Sequence, residues 1–393
     1  MIKTVNQQII ISQEILDLMS KFRNMVNDCI RIGLQNDVTS LKTLSAKSYH
    51  YLDRYDIISY YKLHAISRAS GILQNRKKSI KRGFKTKTPY LKNGMIISCY
   101  GFKVDWNNGV IRIPLGGKRY FDIKLNNFVL KTMSKLKVHS FSISSLGKLS
   151  ISYSKPKTEQ IECASIVGID RNLGNVTVGN IDKTTRYDLQ KCNEIIDNTK
   201  SIYKSFNRND HRIRKKIYAK YGYRRKNRVK QILHKVSKNI VSELKENKQG
   251  IAFEKLTFIR RLYQKGNGQG NNYRGKMNSW SFAEIKRQIK YKAEWDGIKV
   301  IELSTKDTRY TSSLCHKCGK RSQYDRLTRL MSCNDCHLVI DRDVLAAINI
   351  AKKGDDVFHR SKCLSGEAMV VESCLFPRVI HQVDERKFEA YES

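Results

Sequence analysis

The N-terminal part of the chain begins with a strand pattern and then changes to the helical period. The segment KTVNQQIII predicts a strand that ends at Ser12, a residue type suited to a helix N-cap. Apolar residues from Ile15 to Ile32 recur at helical spacing, which predicts a helix with one buried face. A second helical pattern covers about residues 56–83 and ends in a basic run.

The segment that follows, residues 95–154, has the composition of strands. It is rich in β-branched and aromatic residues, and turn signals such as Asn108-Gly109 interrupt it. The first part of the chain therefore predicts a helical insertion carried on a small β-barrel or sheet.

Farther along, short buried strands alternate with helices, and two of these strands end near an acid. The strand in IVGID ends at Asp170 before a glycine turn, and the strand in IAFEKL reaches Glu254. WSFAEIKRQIKYKAEWDG predicts a helix, IKVIEL a strand and KGNGQGNNYRGKMNS a mobile loop. A final helical segment, DRDVLAAINIAKK, opens with Asp341 and Asp343. The pattern predicts an α/β layer within an α+β multidomain chain.

The charge balance points to a polyanionic partner. The 393 residues include 75 Lys and Arg against 36 Asp and Glu, a net charge of +39. A chain so basic favours nucleic acid as its partner, with a ribosome-bound or membrane-surface protein as the alternatives. No run approaches the ~20 apolar residues of a membrane helix, so the sequence predicts a soluble intracellular protein with no membrane partner.

Two basic helical segments are candidates for nucleic-acid contact. Residues 201–240 hold fourteen Lys or Arg and one acid, which favours a surface that faces a polyanion over a solvated one. The candidate contacts there are Arg214, Lys215, Arg224 and Arg225. In the segment 56–83, Gln74 and Asn75 offer amides that suit adenine edges, and Lys77 with its basic neighbours suits phosphates. The alternative for that segment is a helix that only packs, with a solvated basic end.

The cysteine spacing predicts a zinc ribbon. Cys315 and Cys318 form one Cys-x-x-Cys pair, and Cys333 and Cys336 form a second after fourteen intervening residues. Two such knuckles supply four thiolates to a closed tetrahedral Zn²⁺ site, which is structural because no coordination position stays open.

The acids at the ends of the predicted elements are the catalytic candidates. Each has an ordinary explanation alone: Asp170 as a turn residue, Glu254 as a surface acid and Asp341 as an N-cap. Strand ends and helix starts of an α/β layer can meet at one sheet edge, where clustered acids repel one another unless cations lie between them. Such a cluster can bind two Mg²⁺ ions, which favours a two-metal nuclease in so basic a chain.

The order of these motifs resembles a known family. GIDRNLGNVTV, IAFEKL, TSSLCHKCG, the second cysteine pair and DRDVLAAINI are similar to the RuvC-like nuclease of TnpB (OrfB-type) transposon proteins, over about residues 165–353. The resemblance implies Mg²⁺ ligands at Asp170, Glu254 and Asp343, with Asp341 as the N-cap. It also implies a guide RNA from the transposon end, a double-stranded DNA target beside a short adjacent motif, and one chain per guide in a prokaryotic, nucleoid-associated cytoplasmic protein.

The resemblance also implies a domain order. A wedge β-barrel (1–13 and 85–163) carries a helical recognition insert (14–84). An RNase H-like (RuvC) α/β nuclease domain (164–306 and 341–354) then holds an inserted zinc ribbon (307–340), and a tail follows (355–393). Within the ribbon, Arg329 is a further candidate nucleic-acid contact.

Two positions depart from the usual family motifs, and two other functions remain open. Leu345 replaces an Asn of the third catalytic motif, and His337 replaces a Gly after the last cysteine, where the turn is left-handed. One alternative is an RNA-guided repressor without catalysis, against which the intact acids argue. The other is a transposase or an accessory to one, although the chain shows no His-hydrophobic-His pair with a tyrosine nucleophile.

Overall fold

The computed structural model describes residues 2–134, 136–156, 159–256, 259–325, 327–364 and 383–384. The chain divides into two compact units, Met1–Lys157 and Thr158–Ser393. Within the described part, no helix combines the length and the apolar character needed to span a membrane.

The first unit alternates helices with short strands. Its elements are β1 (Lys3–Gln8), α1 (Gln13–Gln35), α2 (Leu41–Ser48), a 3-10 helix (His50–Tyr55), α3 (Ser59–Lys81), β2 (Met95–Ser98), β3 (Lys103–Asp105), β4 (Val110–Gly116), β5 (Arg119–Lys124), α4 (Asn127–Met133), β6 (Lys137–Ser144) and β7 (Lys148–Ser154).

The two long helices of this unit form where the apolar period predicts them. Ser12 is the N-cap of α1 and accepts a hydrogen bond from the Ile15 backbone N–H. Most of the predicted apolar face of α1 is buried, with Phe22 and Met25 completely so, whereas Ile32 at its end is half-buried. On α3, Tyr61 is also fully buried, and its hydroxyl donates to the Pro114 carbonyl at 2.9 Å. Helix α3 is therefore held against the strand region by a buried polar contact as well as by packing.

The described strands of the first unit form two open sheets. One has the order β1-β7-β6-β2 and the other β3-β4-β5, and all their pairings are antiparallel. The predicted hairpin at Asn108-Gly109 joins β3 to β4. The expected closed wedge barrel is not seen among these strands, because the β3-β4-β5 meander pairs only with itself.

The second unit contains the predicted α/β layer. Its elements are β8 (Ser165–Arg171), β9 (Asn175–Gly179), β10 (Thr184–Asp188), α5 (Gln190–Ser205), α6 (His211–Glu246), β11 (Gln249–Glu254), a 3-10 helix (Ile259–Tyr263), α7 (Asn271–Ser279), α8 (Phe282–Trp295), β12 (Val300–Leu303), β13 (Gln323–Tyr324), β14 (Leu330–Ser332), β15 (Val339–Asp341), α9 (Arg342–Leu364) and β16 (Val383–Asp384).

A mixed sheet of order β12-β11-β8-β9-β10-β16 forms the centre of this unit. Strands β8, β11 and β12 are parallel, whereas β9 is antiparallel to both β8 and β10. One face buries Val167 and Ile169 against helices α5, α6 and α8. The opposite face buries Ile166 and Ala252 against α9. A separate three-stranded sheet, β13-β14-β15, carries the cysteine region.

Two segments differ from the sequence prediction. The Gly/Asn-rich segment expected to be a loop contains α7, whose Met277 is buried along with the following Trp280. Burial of these two apolar side chains holds a helix that the local glycines disfavour. Helix α9 extends to Leu364, inside the range expected to be a tail, and the rest of that range lies outside the described residues except for β16.

Candidate active site

Strand alternation brings two of the predicted acids to one face of the sheet. Side chains along a strand alternate between faces, so Asp170 shares a face with Ile166, and Glu254 shares a face with Ala252. The register of β8 and β11 runs to Ile169 opposite Phe253, one residue before the two acids. Asp170 and Glu254 therefore lie side by side at the carboxyl ends of adjacent parallel strands, on the face covered by α9.

Helix α9 brings the third acid to the same face. Asp341 caps its N-terminus and accepts hydrogen bonds from the backbone N–H groups of Asp343 and Val344 at 2.8 and 3.3 Å. The helix passes so close to β8 that a Cβ on Gly168 would lie 2.1 Å from the Ala347 carbonyl oxygen. This close approach holds Asp343, in the first turn of α9, near the end of β8.

Two asparagines connect Asp170 to Asp343. Asn172 donates from Nδ2 to Asp170 Oδ2 at 2.7 Å and lies 3.4 Å from Asn175 Oδ1. Asn175 in turn donates to Asp343 Oδ2 at 3.4 Å. Asn172 lies in the β8–β9 turn and Asn175 begins β9, so this junction sets the spacing between the two carboxylates.

Glu254 is held by its own partners. Thr311 donates from its hydroxyl to Glu254 Oε1 at 3.1 Å. The buried Arg171 guanidinium donates to the Glu254 backbone carbonyl at 2.8 Å and to the Phe282 carbonyl at 3.0 Å. Arg171 lies on the opposite face of β8 from Asp170, where it provides a fixed positive charge behind the acids.

The neighbouring acids change the protonation of Asp170. Burial, together with the negative charges of Glu254 and Asp343, raises the pKa of Asp170 to about 7. Burial also raises the pKa of Glu254, although the Thr311 hydroxyl and Arg171 oppose that effect. The cluster therefore carries more negative charge than its surroundings compensate.

Arg329 contacts this acid cluster directly. Its Nη2 lies 2.7 Å from Asp343 Oδ1, and its side chain is 51% exposed whereas that of Asp343 is 5% exposed. The residue predicted as a nucleic-acid contact is thus placed against the third acid, with half of its surface open to a further ligand.

The acid cluster fits divalent cations in its chemistry. Carboxylate oxygens are the ligands that Mg²⁺ prefers, and the excess negative charge shown by the Asp170 pKa is the charge that cations would neutralise. Among the described residues, only the four cysteines form a set of three or more potential ligands with all ligand atoms within 4.8 Å. The wider spacing of the acids is compatible with two ions rather than one.

The four predicted cysteines come together. Cys315 Sγ lies 3.4 Å from Cys336 Sγ, and Cys318 Sγ lies 3.4 Å from Cys333 Sγ. A tetrahedral Zn²⁺ site with bonds of ~2.3 Å separates its sulfurs by about 3.8 Å, so this cluster can hold such a metal. His337 has a φ of 52°, which confirms the left-handed turn expected after the last cysteine.

Helix α9 also fixes the cysteine region. Asn349 donates from Nδ2 to the backbone carbonyls of Thr311 and Leu314 at 2.7 and 2.8 Å. Lys352 donates from Nζ to the His316 carbonyl at 2.5 Å. One helix therefore positions both the third acid and the segment that enters the first cysteine pair.

The predicted nucleic-acid contacts on α3 differ in whether their side chains are already hydrogen-bonded within the protein. The Gln74 amide donates to the Thr39 carbonyl at 3.2 Å and to Ser70, so it helps hold the α1–α2 loop, whereas Lys77 is exposed. Its neighbour Asn75 lines a cavity of about 330 Å³ with His64 and Arg68.

On α6, the first buried residue is Val229, so the preceding half of the helix has no buried position. Lys215 and Arg224 are exposed there, and Arg214 and Arg225 are half-buried.

Sequence reasoning missed several residues that position the site. Four polar residues bind the acids or the segments that support them, and no local sequence pattern marks them: Asn172, Asn175, Thr311 and Asn349. Arg171, which binds the Glu254 carbonyl, is marked in the sequence as a basic residue at the end of an apolar strand.

Leu345 is fully buried among Met331, Ile340, Val344 and Ile348, so its side chain belongs to the core between α9 and the three-stranded sheet.

Comparisons with known proteins identify the family. A family model described as the Cas12f1-like TNB domain matches residues 282–350. A TnpB-like protein of Methanocaldococcus jannaschii is 36% identical over 208 residues, which are 49% of this chain and 70% of that protein. This chain belongs to the TnpB-like family. A second TnpB-like protein of that archaeon is 25% identical over 77% of this chain and 70% of its own length.

The TnpB-like chain is also similar to a CRISPR nuclease. It is 30% identical to the CRISPR-associated endodeoxyribonuclease Cas12f1 of Sulfoacidibacillus thermotolerans, over 52% of this chain and 49% of that protein. A cryo-EM structure of a Cas12f1–sgRNA–target DNA complex matches with a TM-score of 0.60 at 15% identity, covering 87% of this chain and 83% of that one. The two chains therefore share a fold.

Proposed function

We propose that this TnpB-like protein is an RNA-guided DNA endonuclease that hydrolyses phosphodiester bonds beside a short adjacent motif. The observation that carries the proposal is the convergence of Asp170, Glu254 and Asp343 on one face of a mixed sheet, in a chain of net charge +39. The names of its relatives support the guide RNA and the DNA target.

In this proposal the acid cluster is a RuvC-like, RNase H-type site. Asp170, Glu254 and Asp343 would hold two Mg²⁺ ions, which when bound activate water and stabilise the leaving oxygen. The Asn172–Asn175 pair keeps the first and third carboxylates apart. Arg329 balances Asp343 and directs its exposed side toward a phosphate, where negative charge develops during hydrolysis.

The zinc ribbon and the basic surfaces complete the proposal. The four cysteines hold a structural Zn²⁺, and the ribbon brings Arg329 to the acids. The exposed half of α6, with Lys215 and Arg224, follows the backbone of a guide duplex. The basic end of α3 and the cavity at Asn75 are the candidates for reading the DNA beside the target.

The test is cleavage by the protein expressed with its native transposon end. We expect Asp170→Ala to abolish cleavage while guided DNA binding stays within a few-fold, because affinity comes from Lys, Arg and guide pairing. Ca²⁺ should support binding without cutting, because its longer and looser coordination misplaces the attacking water.

Asp341 is the internal control for the third ligand. Its carboxylate caps α9 and pairs with Arg186 at 2.7 Å, so Asp341→Ala should cost about 1 kcal/mol of stability and retain cleavage. Loss of cleavage in Asp341→Ala but not in Asp343→Ala would show that the wrong acid is assigned. A wild-type complex that binds its target but cuts nothing with Mg²⁺ would favour the repressor function.

A further inference from the structure

The three-stranded sheet of the ribbon carries an aromatic side chain two strands away from β15, the strand that leads into α9 and Asp343. Tyr324 on β13, Met331 on β14 and Ile340 on β15 lie opposite one another in register and therefore share one face. Met331 and Ile340 are buried against α9. Tyr324 is the outer member of this row and is 39% exposed.

An arginine covers one side of this ring. Arg342 is the first residue of α9 and directly follows strand β15. Its guanidinium carbon is 4.8 Å from the Tyr324 ring centroid, within the range of a cation–π contact. Arg342 directly precedes Asp343, and its backbone N–H donates to the Arg329 carbonyl at 3.1 Å. The stacked pair is therefore part of the border of the acid cluster.

The polar ends of this pair are not used by the fold. Within the described part of the chain, the Tyr324 hydroxyl makes no hydrogen bond and the Arg342 guanidinium makes no ion pair. Arg54 and Tyr51 in the first unit make a similar stack at 4.1 Å, but there both polar groups are bonded: Arg54 also donates to Asp28, and the Tyr51 hydroxyl accepts from Arg31 and Arg54.

We infer that Tyr324 and Arg342 form a stacking platform that positions an unpaired base of the strand being cut. The exposed part of the Tyr324 ring accepts the base, and Arg342 supports the ring and attracts the adjoining phosphate. A base fixed there sets the register of the neighbouring phosphodiester over the acids. The inference rests on the proposed nuclease function, and it specifies an unpaired strand as the substrate at this site.

Binding can be tested without catalysis. A short deoxythymidine strand carrying one 2-aminopurine is titrated with Asp170→Ala protein in Ca²⁺, and fluorescence quenching reports stacking. Adding Tyr324→Ala should abolish the quenching and weaken binding by roughly 5- to 150-fold, whereas Tyr324→Phe, which keeps the ring, should change binding less than about 2-fold. Tyr51→Ala is the matched control, since Tyr51 is 37% exposed and also stacks on an arginine.

Cleavage tests the positioning role through base removal. Single abasic sites are moved stepwise along the strand next to the cut. At one position, the abasic site should slow cleavage by the wild-type protein roughly 5- to 150-fold, as much as Tyr324→Ala slows cleavage of the intact strand. Cleavage of that abasic strand by Tyr324→Ala should be no slower than with either change alone. Zinc content and melting temperature of each variant verify that the ribbon is folded.

The outcomes separate this inference from the nuclease proposal. Quenching that depends on the Tyr324 ring supports the platform even if no variant cuts DNA. Equal losses from Tyr324→Phe and Tyr324→Ala would overturn stacking in favour of a hydroxyl contact. Additive effects of Tyr324→Ala and every abasic position would likewise overturn the platform while leaving the nuclease intact.

Discussion

At the residue scale, the three acids differ in how their charges are compensated. Asp343 has Arg329 within 2.7 Å, and Glu254 accepts a hydrogen bond from Thr311. Among the residues that the structure describes, Asp170 has the Asn172 amide as its one direct side-chain partner, and it faces two further negative charges. Its carboxylate is therefore the one that the metal-free protein disfavours most, and the one that gains most from a bound cation.

This difference predicts a pH-dependent stability of the metal-free protein. The pKa of Asp170 is raised from its ordinary value of about 4 to about 7, so the stability that its protonated form contributes is full below about pH 4 and is lost as the pH rises from about 4 to about 7. Asp170→Asn mimics the protonated acid. With a chelator present, it should raise the free energy of unfolding by about 1–3 kcal/mol at about pH 8 and have little effect at about pH 4.

Denaturant melts at the two pH values measure this directly. At high pH, addition of Mg²⁺ should make the wild-type protein more stable than Asp170→Asn. Only the wild-type protein has the Asp170 carboxylate that binds the ion. Equal stabilisation at both pH values would mean that the charge of Asp170 is already compensated in the metal-free protein.

At the element scale, the site depends on how closely α9 crosses β8. A Cβ added at Gly168 would lie 2.1 Å from the Ala347 carbonyl oxygen and 2.6 Å from the Ala351 nitrogen, so the helix must move. Gly168→Ala should therefore destabilise the protein by about 1–3 kcal/mol and reduce cleavage more than binding, because Asp343 moves with the helix.

Gly174 provides the matched control for that change. A Cβ there has its nearest neighbour at 3.9 Å, and Gly174→Ala should keep both stability and cleavage. Melting temperatures and single-turnover cleavage rates of the two variants distinguish them. Full cleavage by Gly168→Ala would show that the helix position does not control the acids.

The ribbon is a second element whose contribution can be isolated. Purified protein should contain about one zinc per chain, and Cys333→Ser should lower both the zinc content and the melting temperature. Cys192→Ser, at a buried cysteine packed among α5 and α6, is the control that should leave zinc unchanged. Protein with no zinc, or with iron instead, would contradict the assignment.

At the scale of the whole molecule, the positive charge is concentrated where the fold leaves it exposed. The half of α6 before Val229 spans about 27 Å without a buried residue, and most of the fourteen basic residues of 201–240 lie on it. A helix segment with no apolar face gains little from packing, so its charge is available to a polyanion.

We therefore expect protein expressed with its native transposon end to retain one discrete RNA through a moderate salt wash. Replacing both Lys215 and Arg224 by alanine should lower the salt dependence of RNA affinity by about one unit of slope per lost phosphate contact. Lys245→Ala, an exposed lysine in the packed half of α6, should leave the slope unchanged. Recovery of only random cellular RNA would indicate a generic binder.

The sequence by itself determined the features that depend on neighbouring residues. The apolar period predicted α1 and α8, the Asn108-Gly109 turn predicted its hairpin, and the spacing of the Cys315 and Cys333 pairs predicted their cluster. The sequence predicts these features because each depends on residues close together in the chain: those of one element, or ligands at a short, regular spacing.

Only the tertiary structure decided which distant residues meet. The sheet order puts Glu254 beside Asp170, the crossing of α9 at Gly168 brings in Asp343, and the ribbon turns Arg329 onto that acid. The open sheets of the first unit and the helix α7 were likewise decided by long-range pairing and burial. Such contacts join residues far apart in the chain, so the local pattern of apolar and polar residues cannot predict them.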